Sequence, residues 1–221
     1  MTKKIALLEN SQVQFKIFFF VGVDANTPSD YYNDLMSEST SMNDILQIDV
    51  IDQPLNITQK LFSVFEWISF FCPKIDYFLK TDEEVFINLE KFADGLRMVE
   101  EEFEREFKWS VNSGKQMMVL GFREENSLVK RKKEPESVPL DIYPYEKFEF
   151  PYLRGCAALS TLAFVRNAYA LGVCLRALFI DDVYIFGYLP LLLGAYVRPY
   201  KSLNFSRPVL ENQKPFKWLI S

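Results

Sequence analysis

The chain has 221 residues, of which 49% are apolar and 16% are aromatic. This apolar content is enough for one sizeable core and excludes a wholly disordered chain, so we expect a single domain over residues 1–221. The 25 basic and 30 acidic residues give a net charge of −5. No nucleic-acid partner is expected, because general nucleic-acid binders are normally basic.

The sequence contains no histidine. This excludes histidine-based triads, histidine-ligated zinc and histidine general bases. Any catalysis must therefore depend on carboxylates, Cys, Lys, Tyr or a metal held by oxygen atoms. Three cysteines, Cys72, Cys156 and Cys174, fit no metal motif and are expected to be small buried hydrophobic residues.

No targeting or membrane segment is evident in the sequence. The N-terminal residues 1–16 are too polar for a signal peptide, and the longest apolar runs are far shorter than the roughly 18 residues of a membrane span. Two N-glycosylation sequons begin at Asn56 and Asn204. They matter only if the chain enters the secretory pathway.

The first third of the chain shows alternating strand and helix patterns. Residues 15–23 form a mostly apolar run that is typical of a strand buried on both faces. A short helix is predicted over 30–40 and a short strand over 44–50. Apolar residues then recur with helical spacing, which predicts an amphipathic helix over 57–71 that ends before Pro73.

The same alternation continues to the C-terminus. Further elements are predicted as a strand at 77–80, a helix from 88 to about 107, a strand at 116–122, a charged mobile loop at 123–139, a strand-like aromatic stretch at 142–160, a helix at 162–173 and an apolar helix ending near 196. We therefore predict an α/β fold in which helices flank a mainly parallel central sheet.

An acidic triplet, Asp82-Glu83-Glu84, directly follows the predicted strand at 77–80. Ligands of open α/β sheets collect at the carboxyl ends of strands, and side chains two apart in an extended segment point the same way. Asp82 and Glu84 could therefore hold one Mg²⁺ or Mn²⁺ on a substrate phosphate. Alternatively, the triplet caps the following helix.

A second acidic motif, Asp181-Asp182, lies between apolar residues. Carboxyl groups in apolar surroundings tend to have raised pKa values, which suits a general base. The alternative is again the cap of a helix.

A third motif is Pro151-Tyr152-Leu153-Arg154-Gly155. Gly155 permits close approach of the backbone to a ligand, and Tyr152 and Arg154 could stack on it or pair with it. The alternative is a simple turn.

The order of the motifs resembles the beta-1,3-galactosyltransferase family, which also includes the beta-1,3-N-acetylglucosaminyltransferases. The resemblance covers about residues 15–198. It rests on six blocks in the family's order, whose core segments are FFFVGV at 18–23, NDILQ at 43–47, LNITQK at 55–60, LKTDEEVFIN at 79–88, PYLRGCAALS at 151–160 and IDDVYIFG at 180–187.

The resemblance implies a GT-A-type fold and an inverting transfer of a hexose or N-acetylhexosamine from a UDP-sugar to a glycan hydroxyl, forming a beta-1,3 linkage. The implied metal is Mn²⁺ (or Mg²⁺), held by Asp82 and Glu84 with Glu83 between them. Asp182 is implied as the base that takes the acceptor proton, with Asp181 beside it.

The implied substrate-binding residues are Lys80, Tyr152, Arg154 and Gly155. The acceptor would be a glycan on a glycoprotein or glycolipid in the Golgi lumen, where Asn56 and Asn204 become glycosylation candidates. The family also has a membrane anchor, which this sequence does not show.

The sequence departs from the family pattern at three places. Glu84 is one methylene longer than the family's aspartate, Ala157 replaces a second glycine, and the family's first strand is not recognisable, so we expect it to be missing. These departures support one alternative, a catalytically impaired member that binds glycans or a protein partner. The missing targeting signal supports another, an interaction module of the cytosol.

Overall fold

The computed structural model describes residues 13–24, 29–82, 85–107, 116–131, 137–199 and 205–206. Its elements in chain order are β1 (Phe19–Val23), α1 (Ser29–Met42), β2 (Ile45–Ile51), α2 (Ile57–Phe71), β3 (Tyr77–Thr81), β4 (Phe86–Ile87), α3 (Leu89–Phe107), β5 (Met118–Glu124), β6 (Tyr152–Thr161), α4 (Leu162–Gly172), α5 (Asp181–Val183), α6 (Leu189–Leu193), β7 (Tyr196–Pro199) and β8 (Phe205–Ser206). A π-helical turn, Tyr184–Tyr188, joins α5 to α6.

The largest sheet of the described chain has four strands in the order β3-β6-β5-β7. Strand β6 is antiparallel to both β3 and β5, whereas β5 and β7 are parallel. A parallel pair, β1-β2, and an antiparallel pair, β4-β8, are separate. The α/β class is thus confirmed, but the mainly parallel sheet is not, because the four-stranded sheet is mixed. Parallel neighbours need a crossover connection, and the described residues between β5 and β6 contain no helix that could provide one.

Helices cover both faces of the four-stranded sheet. On one face, α2, α4 and the π-helical turn bury a cluster that includes Phe65, Phe164 and Phe186. On the other face, α3 buries Phe92, Leu96, Val99 and Phe103 against the alternate residues of β5 and β6. The sheet therefore lies between two apolar layers, as the period of two along each strand requires.

The helix α2 has the bounds that the apolar spacing predicts. The end of the chain differs from the prediction, because helix α6 stops at Leu193 and the predicted helix residue Tyr196 begins β7. Gly194 adopts a left-handed conformation with φ +61°, which ends the helix early.

Two further expectations are corrected by the structure. Of the three cysteines, only Cys156 is buried, whereas Cys72 is half-buried and Cys174 is exposed. The segment expected to be a mobile loop begins inside β5, and Arg131 within it donates hydrogen bonds to the carbonyl groups of Val138, Tyr143 and Tyr145. In the part of the chain that the structure covers, none of the helices is long and apolar enough to cross a membrane.

Candidate functional site

The first part of the candidate site lies where β3 ends beside β6. Thr81 pairs with Ala157, and the next residue, Asp82, donates its backbone N–H to the carbonyl of Cys156 at 3.0 Å. This antiparallel pairing brings Asp82 opposite Cys156, which directly follows Gly155 on the neighbouring strand. The carboxyl end of β3 and the first half of β6 therefore form one edge of the site.

The second part of the site is the start of α5, which carries Asp181 and Asp182. The Gly155 N–H donates a 2.7 Å hydrogen bond to Oδ1 of Asp182, which ties α5 to β6. The chain before α5 is held as well, because the buried Thr58 hydroxyl donates to the Leu178 carbonyl at 2.9 Å. One hydrogen bond from a distant element therefore holds Asp182 itself, and a second holds the chain four residues before it.

Lys80 connects the two parts of the site. Its Nζ lies 2.7 Å from Oδ1 of Asp82 and 3.7 Å from Oδ2 of Asp181. We call Asp82, Asp181, Asp182 and Lys80 the carboxylate cluster. The structure thus brings together four of the residues that the sequence motifs identify, two at the end of β3 and two at the start of α5.

Gly155 lies at the centre of the carboxylate cluster. A Cβ atom on Gly155 would lie 3.1 Å from Nζ of Lys80 and 3.2 Å from Oδ2 of Asp181, and it would overlap Oδ1 of Asp182. Only glycine leaves room for this convergence. The sequence predicts a close approach of this backbone to a ligand, and the structure shows a close approach to the carboxylates themselves.

The cluster perturbs the protonation of its members. Burial, followed by the neighbouring Asp181 carboxylate, raises the pKa of Asp182 to about 7. Burial also raises the pKa of Asp181, although the Lys80 ammonium opposes this. Burial lowers the pKa of Lys80, but the carboxylates raise it by more, so its net pKa is raised. A carboxyl group with a pKa near 7 can act as a general base at neutral pH.

The cluster has an excess of negative charge. Asp181 is only 6% exposed, and its Oδ2 accepts no hydrogen bond within the described part of the chain. Three carboxyl groups share one ammonium group, so the cluster as a whole favours the uptake of a proton.

Asp82 has the chemistry of a ligand for a hard metal ion. Its side chain is 41% exposed and presents carboxylate oxygens at the end of a strand, so its donor atoms and the local charge fit Mn²⁺ or Mg²⁺. Glu83 and Glu84, the other members of the triplet, lie outside the described residues. Among the residues that are described, no three His, Cys, Asp or Glu side chains are grouped so that they could hold a metal.

The remaining candidate residues have contacts of their own outside the carboxylate cluster, or lie outside the described residues. Tyr152 packs edge-on against Phe148, with ring centroids 5.8 Å apart, and Arg154 forms an ion pair with Glu124 of β5. Asn56 is half-buried in the turn before α2, and its side-chain amide donates a hydrogen bond to the Ile51 carbonyl. Asn204 lies outside the described residues.

One positioning residue is missed by reasoning from the sequence. Thr58 is 1% exposed, yet in the sequence it counts only as the last residue of the Asn56 sequon. Its position on the buried face of an amphipathic helix is the signal that could have identified it, because a buried hydroxyl group needs a hydrogen-bond partner.

The family of the chain is given by a comparison with known protein families. A profile described as galactosyltransferase matches residues 3–200. The chain belongs to the galactosyltransferase family.

Individual relatives are distant. The chain is 24% identical over 173 residues to lactosylceramide 1,3-N-acetyl-beta-D-glucosaminyltransferase of Xenopus tropicalis, which covers 77% of this chain and 43% of the relative. It is 21% identical over 174 residues to human beta-1,3-galactosyltransferase 2, which covers 78% of this chain and 38% of the relative. A shorter match, 40% over 63 residues, is to mouse beta-1,3-galactosyltransferase 4, and it covers 28% of this chain and 17% of the relative. The chain thus spans less than half the length of these relatives.

Proposed function

We propose that the protein is an inverting hexosyltransferase with a GT-A-type fold, which transfers a sugar from a UDP-sugar to a hydroxyl of an acceptor glycan and forms a beta-1,3 linkage. One observation carries this proposal. Asp182 is a carboxyl group with its pKa raised to about 7, and the Gly155 N–H holds it in the same cluster as Asp82 at the carboxyl end of β3. This arrangement supports a base beside a donor site.

The proposed base step uses one oxygen of Asp182. Its Oδ1 accepts the Gly155 N–H at 2.7 Å, so Oδ2 is the atom that takes the acceptor proton. As the proton leaves, the acceptor oxygen attacks the anomeric carbon, and the bond from that carbon to the diphosphate oxygen breaks. UDP departs with the electron pair, and attack from the opposite face inverts the anomeric centre.

On the donor side, Asp82 and Glu84, with Glu83 between them, would hold Mn²⁺ or Mg²⁺. When bound, this cation supplies positive charge that stabilises the leaving diphosphate. Tyr152 and Arg154 are proposed to contact the sugars, because they lie on β6 just before Gly155. The exposure of Asp82 supports this assignment, since a ligand arriving from solvent can reach its carboxylate.

The acceptor is proposed to be a glycan on a glycoprotein or a glycolipid, and the site of action to be the Golgi lumen. One relative is named for lactosylceramide and two for galactosyl transfer. Passage through the secretory pathway would also make Asn56, which is half-buried in the turn before α2, a candidate site of N-glycosylation.

The test is an assay of the purified full chain with Mn²⁺, a panel of UDP-sugars and a panel of glycan acceptors. The wild-type protein should release UDP and extend an acceptor. Its rate should rise with pH and level off above about 7, because the base must be deprotonated to act. Asp182→Asn should remove transfer, whereas Asp141→Asn, at an exposed turn, should not. Absence of both hydrolysis and transfer with every UDP-sugar would overturn the proposal.

A second candidate is a family member that binds glycans or a protein partner without turnover. Two observations favour it: Lys80 already pairs with Asp82, and the fully buried Ala157 replaces the family's second glycine. Glycan binding that persists in Asp182→Asn, with no turnover by either protein, would support this candidate. A cytosolic interaction module is a third possibility, and a glycan found on Asn56 of the native protein by mass spectrometry would exclude it.

A further inference from the structure

Lys80 lies between two carboxylates that differ in their access to solvent. It now pairs with Asp82, which is 41% exposed, while the buried Asp181 is slightly farther away. We propose that Lys80 is a positioning residue that changes partner when the donor binds, leaving Asp82 to the nucleotide-bound cation and moving to Oδ2 of Asp181. The inference rests on the proposed function and concerns the same site.

Asp181 is suited to receive the ammonium group. Its Oδ2 is buried and accepts no hydrogen bond from the described residues, and a buried oxygen without a partner is costly. A lysine ammonium has three N–H donors, and a charged N–H···O bond spans about 2.8 Å. Since Nζ of Lys80 is 3.7 Å from this oxygen, a shift of about 1 Å completes the bond.

The ion pair between Lys80 and Asp82 can be broken when a cation arrives. It is a single ion pair in which the Asp82 side chain is 41% exposed, so water and dissolved cations already compete with Lys80 for the Asp82 carboxylate. A divalent cation that arrives with a diphosphate carries twice the charge of an ammonium group and is therefore a stronger partner for the same carboxylate. In the donor-bound state, Asp82 thus binds the cation, and Asp181 pairs with Lys80.

Gly155 leaves the path between the two partners open. A Cβ atom at this position would lie 3.1 Å from Nζ of Lys80 and 3.2 Å from Oδ2 of Asp181, so it would crowd both groups at once. Because Gly155 has no side chain, no side-chain atom of this residue stands between the Lys80 ammonium and the Asp181 carboxylate. The movement of Lys80 therefore needs no rearrangement of the backbone.

The test measures UDP binding by calorimetry, with and without Mn²⁺, in the full-length wild type, Lys80→Met, Asp181→Asn and the double variant. Lys80→Met should tighten Mn²⁺-dependent binding, because the competitor for Asp82 is gone. Asp181→Asn should weaken it by about three- to tenfold, because the released Lys80 loses its second partner. In the Lys80→Met background, Asp181→Asn should have no further effect.

This double-mutant cycle separates a partner exchange from a simple change of charge. If the two substitutions are additive, each acts on the cation through its charge alone, and the inference is overturned while the proposed function stands. If the wild type shows no Mn²⁺-dependent UDP binding, the proposed donor site fails and the inference fails with it. Lys80→Arg, which keeps the charge and the donors, should retain the coupling to Asp181, and loss of coupling in this variant also contradicts the inference.

Controls exclude a loss of folding. Arg198→Met removes an ion pair of the same 2.7 Å length, with Glu102, on β7 at the opposite edge of the sheet from β3, and it should leave UDP binding unchanged. Each variant is first compared with the wild type by circular dichroism and thermal unfolding. If Lys80→Met does not fold, Lys80→Gln takes its place in the cycle.

Discussion

The Asp182 carboxyl group is half-buried, beside a second carboxyl group and within hydrogen-bonding distance of one backbone amide. Burial and the Asp181 charge favour its protonated form, whereas Lys80 and the Gly155 N–H favour the charged form. The balance leaves the pKa of Asp182 close to neutral. Removal of any one of these neighbours is therefore expected to change the pKa of Asp182, and with it the pH above which Asp182 can accept a proton.

Gly155→Ala tests the close packing at this point. The added methyl group would overlap Oδ1 of Asp182, so the backbone or the carboxylate must move, and we expect a loss of about 1–3 kcal/mol in the free energy of unfolding. Transfer activity should also fall, because the hydrogen bond that orients Asp182 is displaced. Urea denaturation and the UDP-release assay measure the two effects.

Gly194→Ala is the matched control for Gly155→Ala. Gly194 has a positive φ of +61°, and a Cβ atom on it would have no other atom within 4 Å. The substitution therefore strains only the backbone of the turn after α6. It should destabilise the fold by about 1 kcal/mol without a specific loss of activity. Equal losses of activity in the two variants would contradict the role of Gly155 in the site.

The acidic residues of the site could be predicted from the sequence, but their partners could not. Asp82, Asp181 and Asp182 stand out because carboxylates follow strands or interrupt apolar runs. The approach of Lys80 to Asp181 depends on β3 pairing with β6 and on α5 packing nearby, which no local pattern contains.

Strand β6 is the element that assembles the site. Its pairing with β3 places Asp82 opposite Cys156 and Lys80 near Gly155, and its N–H group at Gly155 holds the start of α5. The direction of β6 was not predictable, because a strand's own residues show burial and alternation but not the direction of its neighbours. By contrast, α2 was predictable to its end residues, since its apolar face is regular and Pro73 stops it.

Helix α2 contributes to the site through Thr58. Thr58→Val removes the hydroxyl group, leaves the partly buried Leu178 carbonyl without this donor and should cost about 0.5–1.5 kcal/mol in the free energy of unfolding. Because Leu178 lies just before Asp181, activity should fall as well. Chemical denaturation and the transfer assay measure these losses.

Thr58→Ser is the matched control, since it keeps both the hydroxyl group and the sequon at Asn56. It should retain most of the activity that Thr58→Val loses. If Thr58→Val matched the wild type in both stability and activity, the hydrogen bond between Thr58 and Leu178 would contribute to neither.

Over the whole molecule, stability depends on the two apolar layers around the mixed sheet. Phe164 is fully buried between α4 and the sheet, and Phe164→Ala should cost about 3–5 kcal/mol in the free energy of unfolding. Phe70 is 70% exposed at the end of α2, so Phe70→Ala should change this free energy by less than about 0.5 kcal/mol. The midpoints of urea denaturation compare the two variants. If both midpoints shifted by a similar amount, Phe164 would not belong to a buried apolar layer as described.

The hydrogen bond between Thr58 and Leu178 joins residues 120 positions apart in the chain. Contacts over such distances form late in folding, because a long loop must close before the contact gives any stability. Local elements such as α2 and α3 can form much earlier. The segment that carries Asp181 and Asp182 is therefore expected to be among the last to reach its native position. In a newly made chain, the helices would then form before the candidate active site is assembled.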